Sequence, residues 1–186
     1  PYHMRLRVGY DKKLLSEVLS AFLRPIFCWQ RLQARRQGIN EPLTGAVTLC
    51  QRWGSLLQFS PHFHSWLPDG VFSLDDAGSL TLHRLQPPQD ADIQQLLDRI
   101  ARRIDTLIEG KKLAGLEDVD DEQAALAQAQ ATSLQPPLRR DPRDSILIQS
   151  PLCASAAGFS LHANGAVDAN DRGAADKACK AGRISG

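Results

Sequence analysis

The stretch FSPHFHSWLPDGVF, residues 59–72, decides the interpretation of this chain because it holds two histidines one residue apart. In an extended strand, successive side chains point to opposite faces. His62 and His64 would therefore share one face, and Phe63 between them would point into the core. Two neutral imidazoles side by side suit a divalent metal ion and leave coordination positions open for a substrate. The alternative is a strand whose polar face carries two histidines by chance.

Ahead of this stretch the sequence predicts a strand and a long helix. Residues 3–9, HMRLRVG, alternate basic and apolar side chains, which is typical of a half-exposed strand. From Leu14 to Phe27 the apolar residues recur at helical spacing, and Asp11 is placed to cap this helix at its N-terminus. Pro25 lies inside the pattern and should kink the helix or restart it.

Apolar and β-branched runs predict the remaining elements. Gly45–Cys50 is one strand, and a turn at Asp75–Gly78 joins two more, Phe72–Leu74 and Leu80–Leu82, into a hairpin. A second helix begins where an apolar stripe at helical spacing follows a capping carboxylate, Asp90 or Asp92, and ends around 110–115. Two later strands are predicted at Ser145–Gln149 and Gly158–Val167.

This order of elements indicates an α+β fold with a central antiparallel sheet flanked by helices, because strands and helices mix without regular βαβ alternation. Residues 111–145 would form a variable loop or linker insertion in that fold. They include the acidic stretch Glu117–Glu122, an alanine- and glutamine-rich segment at 123–131, and a segment with several prolines at 132–145.

The composition fits one globular domain of 186 residues with a net charge of +1. The first 60 residues hold nine Lys or Arg against three Asp or Glu. This imbalance fits either a polyanionic partner or a solvated helix face. The four cysteines form no Cys-x-x-Cys pair, so we expect reduced thiols in a cytosolic protein. No apolar run reaches the ~18 residues of a membrane-spanning helix.

Further side chains are candidates to complete a metal site with His62 and His64. His162 lies on a predicted strand, and three imidazoles would share a face if that strand paired beside the histidine strand. Gln51 is an alternative oxygen donor from the neighbouring strand. The remaining candidates are interpreted as a turn residue and two incidental histidines: Asp69, His3 and His83.

The sequence carries no motif of several common enzyme classes. It contains no Gly-x-Ser-x-Gly, no P-loop and no Gly-x-Gly-x-x-Gly. A metal held by histidines can polarise a phosphate, but such a site still needs a nucleophile. The two tyrosines that could attack a phosphodiester, Tyr2 and Tyr10, both precede the predicted sheet, and nothing marks either as activated.

Three segments resemble a known family in both sequence and order. GAVTLCQRWGSLLQFSPHFHSWLPDGVF (residues 45–72) is similar to the core signature of the transposases of rolling-circle insertion sequences, which are HUH endonucleases. PYHMRLRVGYD at the start and GFSLHANGAV at 158–167 resemble flanking segments of the same family. The resemblance covers residues 1–179, and residues 74–142 match least well.

The resemblance implies an enzyme of DNA transposition that nicks and joins single-stranded DNA. In that superfamily the paired histidines, here His62 and His64, bind Mg²⁺ or Mn²⁺, and a third ligand completes the site, for which His162 and Gln51 are the candidates. A tyrosine on a later helix attacks the phosphate and forms a phosphotyrosine link. The implied fold is the HUH-type antiparallel sheet with flanking helices. The partner that the resemblance implies is DNA, as a single strand or a transposon end, and neither a membrane nor a small-molecule substrate is expected. The implied location is the bacterial cytoplasm, with the protein on the nucleoid when DNA is bound.

Departures from the family pattern lead us to expect a fragment. No cysteine-rich zinc-binding region precedes Pro1, and the tyrosine segment that should follow is missing. Residues 1–186 would then be a single incomplete catalytic domain that binds metal without cleaving DNA. One alternative is a non-catalytic DNA-binding or metal-stabilised α+β module that uses the basic first third. Another is a chain that does not fold stably, because lost terminal elements expose sheet edges.

Overall fold

The computed structural model describes residues 8–53, 59–113, 146–156 and 159–165. These ranges contain two long helices and seven strands, all paired antiparallel, which confirms the α+β class. In chain order the elements are α1 (Lys12–Arg36), β1 (Val47–Trp53), β2 (Phe59–Trp66), β3 (Gly70–Leu74), β4 (Leu80–Arg84), α2 (Asp90–Leu113), β5 (Leu147–Ser150), β6 (Cys153–Ala156) and β7 (Phe159–His162).

Helix α1 begins where its sequence pattern predicted. The Asp11 carboxylate accepts hydrogen bonds from the backbone N–H groups of Lys13 and Leu14, at 2.9 and 3.0 Å, and so caps the helix. The helix then runs without a break past the buried Pro25 to Arg36, so of the two expected effects of this proline, a kink or a restart, the restart does not occur. The ring removes one backbone donor, but the packing of α1 on its neighbours outweighs that local loss.

Helices α1 and α2 pack against each other and form the core. Leu14 and Val18 of α1 are buried against Ile100 and Ile104 of α2. A second buried cluster joins the beginning of α2 to β6, through Ile93, Leu96, Leu97 and Ala154. The two clusters share half-buried side chains, among them Ile26 of α1 and Phe159 of β7, so they form one continuous core. Neither helix of the described ranges is long and apolar enough to cross a membrane.

Two carboxylates at the start of α2 tie three parts of the chain together. Asp92 accepts a hydrogen bond from the indole N–H of Trp29 on α1 and another from the backbone N–H of Gln89, both at 2.9 Å. Asp90 accepts the backbone N–H of Leu152, just before β6, at 2.7 Å. The predicted capping carboxylates are therefore also tertiary contacts, which hold α1 and the β5–β7 sheet against α2.

The described strands are divided among three small antiparallel sheets, whereas one central sheet was expected. The histidine strand β2 pairs with β1, β3 pairs with β4 as the predicted hairpin, and β6 lies between β5 and β7. Leu43 extends the hairpin sheet by a bridge to Phe72, with backbone N–O distances of 2.7 and 2.9 Å. The sheet of β5, β6 and β7 covers α2, and β3 contacts α1.

Three local expectations differ from the structure. Residues 8–10 are helical, whereas a strand was predicted through residue 9. Gly9 lies so close to the ring of Phe59 that an added Cβ would collide with it, and this long-range contact is one that the local sequence pattern does not contain. Strand β6 was not predicted, and the last strand ends at His162, short of Val167. Predictions for residues 1–7, 114–145 and 166–179 lie outside the described residues. Helix α2 includes residues 111–113, which were predicted to be the first residues of the insertion.

Replacement of Leu97 by alanine should lower the free energy of unfolding by about 2–5 kcal/mol, because a side chain only 1% exposed leaves a cavity between α2 and β6. Urea denaturation followed by circular dichroism measures the change. The matched control is Leu32→Ala on α1, where the leucine is 47% exposed and the change should stay within about 0.5 kcal/mol. Equal losses in both variants would contradict the assigned core.

Asp92→Ala should also destabilise the fold, by about 2 kcal/mol, because it leaves the indole of Trp29 and the backbone of Gln89 without their acceptor. Asp98→Ala is the control on the same helix. Its carboxylate pairs with the exposed Arg102 at 2.8 Å, an interaction worth about 0–1 kcal/mol. The same denaturation experiment compares the two, and a smaller loss for Asp92→Ala than for Asp98→Ala would rule out the proposed tie between the helices.

Candidate metal centre

The paired histidines occupy one face of β2, as predicted. The ring centroids of His62 and His64 lie 4.9 Å apart, with the rings nearly perpendicular. Phe63 points to the other side, where its ring stacks on Phe22 of α1 at 5.7 Å. The face that carries the histidines, called the outer face below, is therefore turned away from α1.

A hydrogen bond to its own strand orients His62. Its Nδ1 atom lies 2.7 Å from the backbone carbonyl oxygen of Ser60. Because a carbonyl oxygen only accepts hydrogen bonds, Nδ1 carries the proton and the lone pair is on Nε2. A ring nitrogen held by a backbone carbonyl while the other nitrogen stays available is the usual arrangement of a metal-binding histidine.

Gln51 brings an oxygen to the same place. It lies directly across from His62 in the antiparallel register, and its Oε1 atom lies 2.9 Å from Nε2 of His64. The outer face thus gathers two imidazoles and one amide oxygen. Mixed nitrogen and oxygen donors of this kind fit a divalent cation that takes its remaining ligands from water or phosphate oxygens.

The electrostatics of the face favour a neutral imidazole at His64. Partial burial lowers the pKa of His64, and the neighbouring His62 lowers it further. A histidine must be neutral to bind a metal, so a lowered pKa keeps His64 in its binding form at neutral pH. On the neighbouring strand, burial raises the pKa of the Cys50 thiol, and Arg52 opposes this only in part. Cys50 is therefore not activated as a thiolate.

His162 is not brought to the pair. It is exposed on β7 and lies across from Cys153 of β6, so the condition for a three-imidazole face, a pairing of its strand beside the histidine strand, is not met among the described strands. Within the four described ranges, no group of three or more His, Cys, Asp or Glu side chains is placed to hold a metal ion. Of the two candidates for the third ligand, Gln51 is the one that contacts the pair.

The other candidate residues from the sequence make contacts that are typical of structural residues. Asp69 is exposed before β3, and its backbone oxygen accepts the N–H of Leu85 at 3.0 Å, in keeping with a turn residue. His83 bonds Oγ of Ser73 through Nε2 at 2.7 Å, within the β3–β4 hairpin. Tyr10 is 65% exposed, and its ring stacks on Phe59 at 5.7 Å. Tyr2 and His3 lie outside the described residues.

One tryptophan of the outer face was missed as a functional candidate. Trp66 follows His64 by two residues and lies across from Val47, so alternation places it on the outer face, whereas Trp53 lies past an irregularity in the register and packs edge-on against Phe59. The period-two pattern that identified the histidine face contains this information. It was missed because tryptophan in a strand is ordinarily a core residue.

Comparison with known proteins places the chain in a family. No curated protein and no solved structure matches it. A family profile described as "Putative transposase" matches residues 45–179, which include every strand from β1 to β7 and both histidines of the pair. The match spans well over half of the chain, and the chain therefore belongs to this family of transposases.

Proposed function

We infer that this chain takes part in DNA transposition by supplying the metal-binding half of a site that nicks and joins single-stranded DNA. The observation that carries this inference is the convergence of His62, His64 and Gln51 on the outer face. The three residues lie inside the segment that matches the transposase family. DNA, as a single strand or a transposon end, is the corresponding partner.

Each side chain has a distinct role in this proposal. His62, through Nε2, and His64 would hold a Mg²⁺ or Mn²⁺ ion. Because the Gln51 oxygen accepts the Nε2–H of His64, the lone pair of His64 is on Nδ1, and the second lone pair of the Gln51 oxygen would serve the ion. A divalent ion held by these residues would polarise the scissile phosphate and offset the charge that develops on its oxygens. The carbonyl of Ser60 fixes the ring of His62, and Phe63 anchors the strand on α1, so the ligands are already oriented.

The nucleophile is the other half of such a site. A tyrosine oxygen would form a bond to phosphorus while the bond to the leaving sugar oxygen breaks, and that oxygen then takes up a proton. The tyrosines of this sequence are Tyr2 and Tyr10, both ahead of β1. Tyr10 stacks on Phe59 and not on the histidine pair, and we therefore assign the attack to neither tyrosine.

A non-catalytic DNA-binding module is the second candidate function. Exposed cations on α1 support it, because the helix carries Arg24 near its middle and Arg35 and Arg36 in its last turn. A helix face of this charge would bind phosphates without regard to sequence, and its affinity would fall steeply with salt. In that case DNA binding would not depend on the histidines.

Metal binding is the first test of the proposal. We expect Mn²⁺ to bind the wild-type chain, and His62→Ala and His64→Ala each to weaken it about tenfold or more, since each removes a direct ligand. Gln51→Ala should weaken it less, because water can replace one oxygen. Isothermal titration calorimetry and the electron paramagnetic resonance of free Mn²⁺ measure the affinity. His162→Ala is the control and should bind as the wild type does; a loss there would contradict the choice of Gln51.

Reaction with DNA is the second test. With a labelled single-stranded oligonucleotide, Mn²⁺ should strengthen binding in the wild type and have no effect in the His62→Ala, His64→Ala double variant. We expect no covalent protein–DNA adduct, because the ring of Tyr10 stacks on Phe59 and is not placed beside the histidine pair. Denaturing gels and mass spectrometry detect an adduct. An adduct that disappears in Tyr10→Phe would overturn that expectation, and binding that ignores both metal and histidines would favour the non-catalytic module.

A further inference from the structure

Helix α1 carries a strong excess of positive charge. Its 25 residues contain six Lys or Arg and a single carboxylate, Glu17, which is half-buried in the first third of the helix. Between Glu17 and Glu41 the sequence contains four arginines and no Asp or Glu. All four arginines belong to α1, so the C-terminal two thirds of this helix are purely cationic.

Three of these arginines form a row along one side of the helix. Arg24, Arg31 and Arg35 are separated by seven and four residues, and these spacings bring side chains to the same side of an α-helix. Arg24 and Arg35 are exposed, and Arg31 is half-buried. At 1.5 Å per residue, the row is about 16 Å long. These three residues are called the arginine row below.

The arginine row lies on the side of α1 opposite its contact with the histidine strand. Arg24 follows Phe22 by two residues and Arg31 follows it by nine, which correspond to about 200° and 180° around an α-helix. The ring of Phe22 stacks on Phe63, and the histidines point away from that contact on the outer face. The body of the helix and the β1–β2 sheet therefore separate the two surfaces, and each must bind its own ligand.

A solvated helix of this protein does not require such a charge. Helix α2 has 24 residues, which include five Lys or Arg and five Asp or Glu, and two of these charges form an ion pair at 2.8 Å. Mixed signs are typical of a solvated face. The helix dipole accounts for cations in the last turn of α1, Arg35 and Arg36, but not for Arg24 and Arg31. The unbalanced charge therefore indicates a polyanionic partner.

Duplex DNA is the polyanion that fits the row and the reaction inferred above. It carries one negative charge per about 1.7 Å of its axis, so a straight row about 16 Å long faces several phosphates. Arginine binds phosphate oxygens in a bidentate manner and keeps its charge at every physiological pH. Joining a strand also requires a second piece of DNA beside the one that is nicked, and a second surface is needed to hold it.

We propose that the arginine row binds the backbone of a second, double-stranded segment of DNA, while the outer face on the opposite side of the fold holds the single strand. The proposal rests on the function inferred above and adds a second DNA segment to it. It differs from the non-catalytic module because both surfaces act in the same molecule. The row positions DNA and takes no part in bond making.

The salt dependence of duplex binding is the first test. Fluorescence anisotropy of a short fluorescein-labelled duplex measures the affinity of the full chain over a range of salt concentrations. The triple variant Arg24→Gln, Arg31→Gln, Arg35→Gln should bind about tenfold more weakly or worse. Its slope of log affinity against log salt should be smaller by about 2–3, because each lost phosphate contact contributes about 0.9 to the slope.

The matched control removes the same charge from the other helix. Arg99, Arg102 and Arg103 are exposed on α2, and their replacement by glutamine should leave the duplex affinity and the slope close to those of the wild type. Both triple variants should bind Mn²⁺ as the wild type does. Melting curves by circular dichroism identify a variant that fails to fold. The single glutamine variants of the row, each with a slope lower by about 1, keep the test valid in that case.

A capture experiment tests whether one chain holds both segments. Oligothymidine fixed on beads should retain the wild type in the presence of Mn²⁺, and the retained protein should capture a labelled duplex. The glutamine triple variant of the row should be retained without the duplex. The His62→Ala, His64→Ala double variant should bind the duplex in solution, but Mn²⁺ should not improve its retention on the beads.

The outcomes separate this proposal from the function on which it rests. An unchanged slope in the row variant, with metal binding still dependent on His62 and His64, would overturn the second DNA site alone. Equal losses in the row variant and the α2 control would also overturn it, because they would indicate net charge without a defined site. A duplex that fully displaces oligothymidine would show a single shared site. A wild type that binds the duplex through the row but binds no Mn²⁺ would overturn the proposed function and favour the non-catalytic module.

Discussion

The stack of Phe63 on Phe22 determines which way the histidines face. Side chains in a strand alternate, so once Phe63 is fixed against α1, its neighbours His62 and His64 must point away from the helix. A shift of the strand by one residue would bury both imidazoles and expose the phenylalanine. The candidate site therefore depends on an apolar contact that contains none of its own atoms.

That contact depends in turn on how α1 is held. Apolar packing on α2 fixes the helix along its length, and the bond from Trp29 to Asp92 fixes it near its C-terminal half. The same end of α2 binds the backbone before β6 through Asp90. Contacts with the helix pair thus fix the positions of both the β1–β2 sheet and the β5–β7 sheet, although the two sheets do not pair with each other.

Local patterns in the sequence predicted the elements, and long-range contacts decided what they could not predict. The helical spacing of the apolar residues placed both helices, and alternation placed the shared face of His62 and His64. Strand β6, with the sequence CASA, has small side chains and no alternation of polar and apolar residues, so it gave no signal. Because β6 was missed, β7 had no visible partner, and the sequence left open whether His162 lies beside the histidine pair. Gln51 needed the register of β1 on β2, which no short-range pattern contains.

The outer face of the β1–β2 sheet exposes apolar side chains, which lowers the stability of this sheet. Two strands alone are marginal in water, and this pair has Val47 and Leu49 exposed on its outer face, where polar side chains would be expected. A sequence selected for folding alone would place charged or hydroxyl groups there. The face instead combines a histidine pair in which the pKa of His64 is lowered, exposed apolar side chains and a segment without carboxylates, and the lack of carboxylates favours contact with phosphates. Their coincidence on one face is better explained by a ligand than by folding.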